Sequence, residues 1–141
     1  MMAYFDSSAL VKLVVDEADS DDAAALWDAA DVVLASRVAS PEVRAALAAA
    51  HRGRRLTDEQ LADANRLWVE FSGALRVVEL TAEIARQAGD LAEEHALGGV
   101  DAIHLASALL LAGHRPVVAT WDSRLHAAVR ALDVMTLPDA P

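Results

Sequence analysis

Short apolar runs alternate along this chain with longer stretches in which apolar residues recur every three or four positions. The two periods separate buried strands from amphipathic helices. Residues 2–5 are an apolar run that stops at Asp6, the pattern of a buried strand. Residues 7–15 follow with Leu10, Leu13 and Val14 at helical spacing, and residues 20–30, with Ala24, Leu26 and Trp27, predict a second helix. Residues 31–35 read as a strand. Ser40-Pro41-Glu42 predicts a helix start, with Ser40 as the capping hydroxyl, Pro41 at the first helical position and Glu42 facing the helix dipole. That helix runs to about His51, and residues 52–55 form a polar break.

Thr57 to Gln60 is a capping box that opens a helix through Leu61, Leu67, Trp68 and Phe71. Residues 75–80 predict a strand, and residues 81–95 an amphipathic helix stopped by Gly98-Gly99. Residues 100–112 are almost all apolar and predict a buried helix. Residues 116–120 read as a strand, 123–132 as a helix, 134–137 as a last short strand, and 138–141 as a frayed tail. Strands apolar on both faces with helices between them imply an α/β fold of three layers, α/β/α, helix-rich around a short central parallel sheet. In such folds ligands bind beyond the carboxyl ends of the strands, where the strand order switches direction. Functional residues are therefore expected just after strands.

At 141 residues the chain is read as a single domain over residues 1–137 with a tail at 138–141. Apolar residues make up 55% and aromatics only 4%, so Ala, Val and Leu must build the core, and a disordered chain is excluded. The absence of cysteine excludes a disulfide scaffold and thiol chemistry, and fits a reducing compartment. The N-terminus has no basic segment, and no apolar run approaches the ~18 residues of a membrane span. A cytoplasmic protein without membrane attachment is expected. The net charge of -10 argues against simple non-specific binding to nucleic acid, and suits a basic partner or a site that gathers cations.

Four acids stand at element boundaries. Asp6 ends the first predicted strand, and Asp122 follows the strand at 116–120. Glu42 opens the helix after the second strand, and Asp101 opens the buried helix. Each has a plain reading as a helix cap or dipole partner. Together they read differently, because a parallel sheet can bring them to one cleft. Carboxylates so gathered hold their protons more tightly or share a cation. Oxygen-only ligands favour Mg²⁺ or Mn²⁺ over zinc. Such a site activates water and neutralises charge on a phosphodiester, so metal-assisted phosphodiester hydrolysis is the expected chemistry.

The same residues carry a family resemblance. Tyr4-Phe5-Asp6-Ser7-Ser8-Ala9-Leu10-Val11-Lys12-Leu13 resembles the opening of PIN-domain ribonucleases of the VapC toxin type. Ser40-Pro41-Glu42-Val43-Arg44-Ala45-Ala46-Leu47 resembles their second acidic motif, and Asp101-Ala102-Ile103-His104-Leu105-Ala106-Ser107-Ala108 their third. Ala119-Thr120-Trp121-Asp122-Ser123-Arg124-Leu125 resembles the fourth. The resemblance implies a PIN-like fold and a Mg²⁺- or Mn²⁺-dependent endoribonuclease, the toxin of a toxin–antitoxin pair. By the motif match, Asp6, Glu42, Asp101 and Asp122 are the catalytic acids. Asp6, Asp101 and Asp122 are the metal ligands, and Glu42 orients or deprotonates the attacking water. Ser7 and Thr120 are candidates to hydrogen-bond these carboxylates. Ser123 and Arg124 stand where some members carry a further acid. The resemblance also implies an RNA substrate, a small cognate antitoxin and pairing as a homodimer.

Other residues carry two readings each. His104, three positions after Asp101, is either a packed, hydrogen-bonded histidine or a group that touches the site. The acids at 16–22 are a solvated surface or a contact for a basic partner. The basic loop at 51–55, with Lys12, Arg37, Arg44 and Arg124, either lines an RNA path or is plain surface. Trp27, Trp68 and Phe71 read as core or interface anchors. Three other functions compete. A phosphoacceptor receiver domain wants paired acids near the first strand and a late Lys, whereas Asp6 stands alone and Lys12 is the only lysine. A dehalogenase-type phosphatase wants a second Asp where Ser8 stands. A non-catalytic PIN-like binding module would keep the fold without the reaction.

Overall fold

A computed structural model describes residues 1–139. Its centre is a five-stranded, all-parallel sheet in the order β3-β2-β1-β4-β5. Strand β1 (Met2–Phe5) lies in the middle, flanked by β2 (Val32–Ser36) and β4 (Val117–Ala119); β3 (Arg76–Val78) and β5 (Met135–Leu137) form the edges. The chain builds outward from β1 through β2 to β3, then returns to the other side of β1 for β4 and β5. The order reverses between β1 and β4, whose registers pair Phe5 with Ala119. The carboxyl ends of these two strands therefore flank the switch point.

Strand β1 explains the layering. Its side chains alternate, with Ala3 and Phe5 in one apolar cluster and Tyr4 in the other, all of them fully buried. On the first face pack α1 (Ser7–Val14), α2 (Ser20–Ala29), α3 (Ala39–Arg52) and α4 (Asp58–Ala74). On the second pack α5 (Ala82–His95), α6 (Gly99–Leu109) and α7 (Ser123–Ala131). Buried alanines such as Ala9, Ala39, Ala102 and Ala106 let the helices approach closely, and Phe5, Trp27 and Phe71 fill the first face with edge-to-face rings. The three layers are those expected from the hydrophobic pattern.

Several boundaries differ from expectation. Helix α3 begins at Ala39 with Val38 at its cap, so Ser40 lies inside the first turn and does not cap. The hydroxyl serving this turn is that of Ser36, which accepts from the Val38 N–H at 3.3 Å. Pro41 is tolerated there because first-turn N–H groups have no helical partner. Strand β3 is shorter than the apolar run at 75–80, since an edge position pairs on one side only. The run at 100–112 is broken: α6 ends at Leu109 and a 3₁₀ turn occupies Ala112–His114. The capping box at Thr57 and Gln60 forms as predicted. The predicted tail is tied down at its start, because the Pro138 carbonyl accepts from His126 Nε2 at 2.7 Å. Its last two residues lie outside the described ones. Among the described residues, no helix is long and apolar enough to cross a membrane.

Candidate active site

Asp6 leaves the end of β1 and caps α1, accepting the Ala9 N–H at 2.9 Å. The capping reading is thus correct, yet it accounts for only part of the carboxylate. Oδ1 also accepts from Ser8 Oγ at 2.6 Å, and Oδ2 accepts from Thr120 Oγ1 at 2.6 Å. With 2% of its surface exposed, Asp6 is pushed above the ordinary carboxylate range by burial. His104 and the hydrogen bonds from Ser8, Thr120 and Ala9 offset this in part.

Thr120, just beyond β4, bridges the two central strand ends. Its hydroxyl donates to Asp6 and accepts the Asp122 N–H at 3.1 Å. It holds the first carboxylate as expected. Ser7 makes no such bond among the described residues; Ser8 takes that place. The reason is capping geometry: the carboxylate of a cap residue lies over the second and third helical positions, so the hydroxyl at the second, Ser8, folds onto it. Ser8 Oγ also accepts the Trp121 N–H at 2.9 Å, tying α1 to the loop after β4.

Asp122 caps α7, with Oδ1 accepting from Arg124 and Leu125 N–H at 3.1 and 2.9 Å. Asp101 stands in the first turn of α6. Its carboxyl is held above the ordinary range by burial first and then by the negative charge of Asp122, with further repulsion from Asp6 and Glu42; His104 opposes the shift. Asp101 is therefore the acid that feels each of the other three. Glu42, in the first turn of α3, is fixed by His104 Nε2 at 2.6 Å from Oε1. Burial, with the Asp6 charge behind it, pushes the Tyr4 phenol far above its usual value.

Among the described residues, no group of three or more His, Asp or Glu side chains is placed to hold one ion as it stands. The donor set nevertheless suits a hard divalent cation. Mg²⁺ takes one or two carboxylates and keeps its waters, and the repulsion that raises Asp101 is the charge such an ion would relieve.

The surroundings revise other expectations. The acidic run after α1 is exposed surface, as one of its two readings had it, with Asp19 Oδ2 accepting from Trp121 Nε1 at 3.0 Å. Lys12 is not free for an RNA path, since its Nζ bonds Glu17 at 3.1 Å and the Ala18 carbonyl at 2.8 Å, 5.0 Å from the Trp121 ring centre. Arg37 is likewise paired with Glu79. Arg44, Arg124 and the loop at 52–55 remain exposed. The sequence reading missed Ser8, Tyr4 and Trp121. Ser8 adjoins the first motif, whereas Tyr4 and Trp121 read simply as apolar.

The PIN-domain family pattern matches residues 3–131. The chain belongs to the PIN-domain family. Over 137 residues, 97% of this chain and 95% of the relative, this PIN domain is 53% identical to Ribonuclease VapC45 of Mycobacterium tuberculosis. Solved structures share its fold. VapC20 of Mycobacterium tuberculosis, a toxin that cleaves the sarcin–ricin loop, superposes with a TM-score of 0.66 at 22% identity, covering 91% of this chain and 95% of that one. A toxin–antitoxin complex from Klebsiella pneumoniae gives 0.63 at 22% identity, covering 99% and 95%.

Proposed function

We propose that this PIN domain is a Mg²⁺- or Mn²⁺-dependent endoribonuclease and the toxin of a toxin–antitoxin pair. What supports the reading is that Asp101, in the first turn of α6, feels the charge of Asp122, Asp6 and Glu42, while Asp6 closes the central strand at the sheet's switch point. Identity of 53% with a ribonuclease over nearly the whole chain supports the same conclusion.

Asp6, Asp101 and Asp122 would hold the ion. When bound, it supplies charge neutralisation at the phosphodiester and a more acidic water. Thr120 and Ser8 keep the Asp6 oxygens in place through bonds of 2.6 Å. Glu42 Oε1 is taken by His104, so Oε2 is the oxygen left to accept a proton from the attacking water. The antitoxin is a small protein, and an open groove of about 430 Å³, with Leu13, Trp27, Leu67 and Phe71 as its apolar lining and Asp16, Asp21 and Asp28 among its acids, supports a docking partner. The chain pairs with itself, and it works in the cytoplasm.

The test is cleavage of total cellular RNA by the purified chain, with fragment ends mapped. Mg²⁺ or Mn²⁺ should be required, EDTA should stop cutting, and Asp6→Asn and Asp101→Asn should be inactive but folded. Cutting that persists in EDTA, or in both variants, would falsify the assignment. A wild-type chain that never cuts leaves a PIN-like binding module. For the toxin role, expression should arrest growth and co-expression of the small partner should relieve it; growth unaffected in the native host counts against it.

A further inference from the structure

His104 lies on α6 one turn beyond Asp101, with 1% of its surface exposed, and both of its ring nitrogens are engaged. Nε2 is 2.6 Å from Glu42 Oε1, and Nδ1 is 2.8 Å from Tyr4 Oη. Tyr4 Oη also accepts the Ser36 backbone N–H at 3.2 Å. The proton positions follow from what each atom can do. An ionised carboxylate only accepts, so Nε2 carries a proton and donates to Glu42. In the neutral ring that gives its Nε2–H to Glu42, Nδ1 is an acceptor, and the Tyr4 O–H donates to it while the Tyr4 oxygen receives the Ser36 N–H. The chain of donors therefore runs from Ser36 N–H through Tyr4 and His104 to Glu42, in the Nε2–H tautomer. It links β2, β1, α6 and α3.

Glu42 needs such support. Its side chain has three rotatable bonds and is 31% exposed, so by itself it would sample several rotamers. Asp101, close enough to interact electrostatically, would also push it away. A charge-assisted bond from a buried donor that is itself held at its far nitrogen selects one position. We infer that His104 is a positioning residue for RNA cleavage: Tyr4 holds its tautomer, and it fixes Glu42 Oε1 so that Oε2 faces the reacting water. This inference rests on the ribonuclease reading. A histidine retained only to fill space would affect stability without changing the rate of the folded enzyme.

The experiment uses the full chain and the variants His104→Gln, His104→Phe and Tyr4→Phe. Two-bond ¹⁵N–¹H spectra of the wild-type chain should show the Nε2–H tautomer of His104, and Tyr4→Phe should shift it toward a mixture. A short RNA spanning the strongest cut site mapped in total RNA serves as probe. His104→Phe should lower kcat by roughly 10- to 100-fold with KM unchanged. His104→Gln, whose amide N–H reaches Glu42 from the same side, should recover much of that loss. An Nδ1–H tautomer, a His104→Phe chain with wild-type kcat, or a folded His104→Gln chain as slow as His104→Phe each overturns the inference. A wild-type chain that cuts no RNA fails the ribonuclease reading and this inference together. A wild-type chain that cuts no faster than His104→Phe fails this inference alone.

Discussion

Replacing Asp6 by Asn separates catalysis from stability. Asp6 accepts three hydrogen bonds, from Ala9 N–H and Ser8 Oγ on one oxygen and from Thr120 Oγ1 on the other. Asn keeps the first oxygen as an acceptor but presents an amide N–H to Thr120. Thr120 Oγ1 still accepts the Asp122 N–H, so its own proton loses its acceptor. A buried donor left unpaired costs about 1–3 kcal/mol. Against that, the substitution removes a buried negative charge whose desolvation outweighs the contacts that favour it. The two effects oppose and are of similar size, so stability in EDTA at neutral pH should stay within about 2 kcal/mol of wild type. Cleavage should fall by a factor of roughly 100 or more, since a ligand-bearing carboxylate contributes several kcal/mol to the transition state.

The pH dependence gives a sign to check. A carboxyl whose folded pKa lies above its ordinary 3.8 binds its proton more tightly folded than unfolded. That stabilisation is complete below 3.8 and is lost as the pH rises through the folded value. Melting in EDTA from neutral pH down to about 4 should therefore improve wild type relative to Asp6→Asn, which has no group to titrate there. Adding Mg²⁺ at neutral pH should raise the wild-type Tm by mass action and leave the variant nearly unmoved. A loss of more than about 3 kcal/mol in the variant at neutral pH refutes the reasoning, because it makes the ionised carboxylate a structural anchor.

Three further outcomes follow from the same structure. Asp101→Asn relieves repulsion from Asp122, Asp6 and Glu42, so its Tm in EDTA should be equal to or above wild type while RNA cutting disappears; a lower Tm with cutting retained contradicts this. Leu105→Ala empties a fully buried position between α6 and the sheet and should cost about 2–5 kcal/mol by denaturant titration, with cut sites unchanged. Thr57→Ala removes the capping bond to the Gln60 N–H and should lower stability by about 0.5–2 kcal/mol with no effect on cleavage.

Strand β1 shows how much of the fold was legible. Its unbroken apolar run announced a strand buried on both faces, and the structure places Ala3 and Phe5 against one helical layer and Tyr4 against the other. The acid that ends it was equally legible: Asp6 caps α1, yet a carboxylate at the close of a buried strand is costly unless further groups meet it. Helix α3 shows the limit. Ser40-Pro41 had the chemistry of a cap, but pairing of β2 with β1 and β3 carried the chain far enough that Ser36 served the turn instead. Trp121 gave no warning at all: its apolar ring hid an N–H that reaches Asp19 across more than a hundred residues of chain.

Local periodicity, capping chemistry and the spacing of acids after strands were set by the chain itself, because each reflects neighbours within one turn or one strand. The sequence alone thus determined the element types, the layers and which carboxylates stood at strand ends. Only the tertiary structure decided the strand order that brings β1 beside β4, the tie between Ser8 and the Trp121 N–H, and the Tyr4–His104–Glu42 linkage. Those contacts join residues up to 114 positions apart, and no local pattern records which buried polar groups will meet once distant strands have paired.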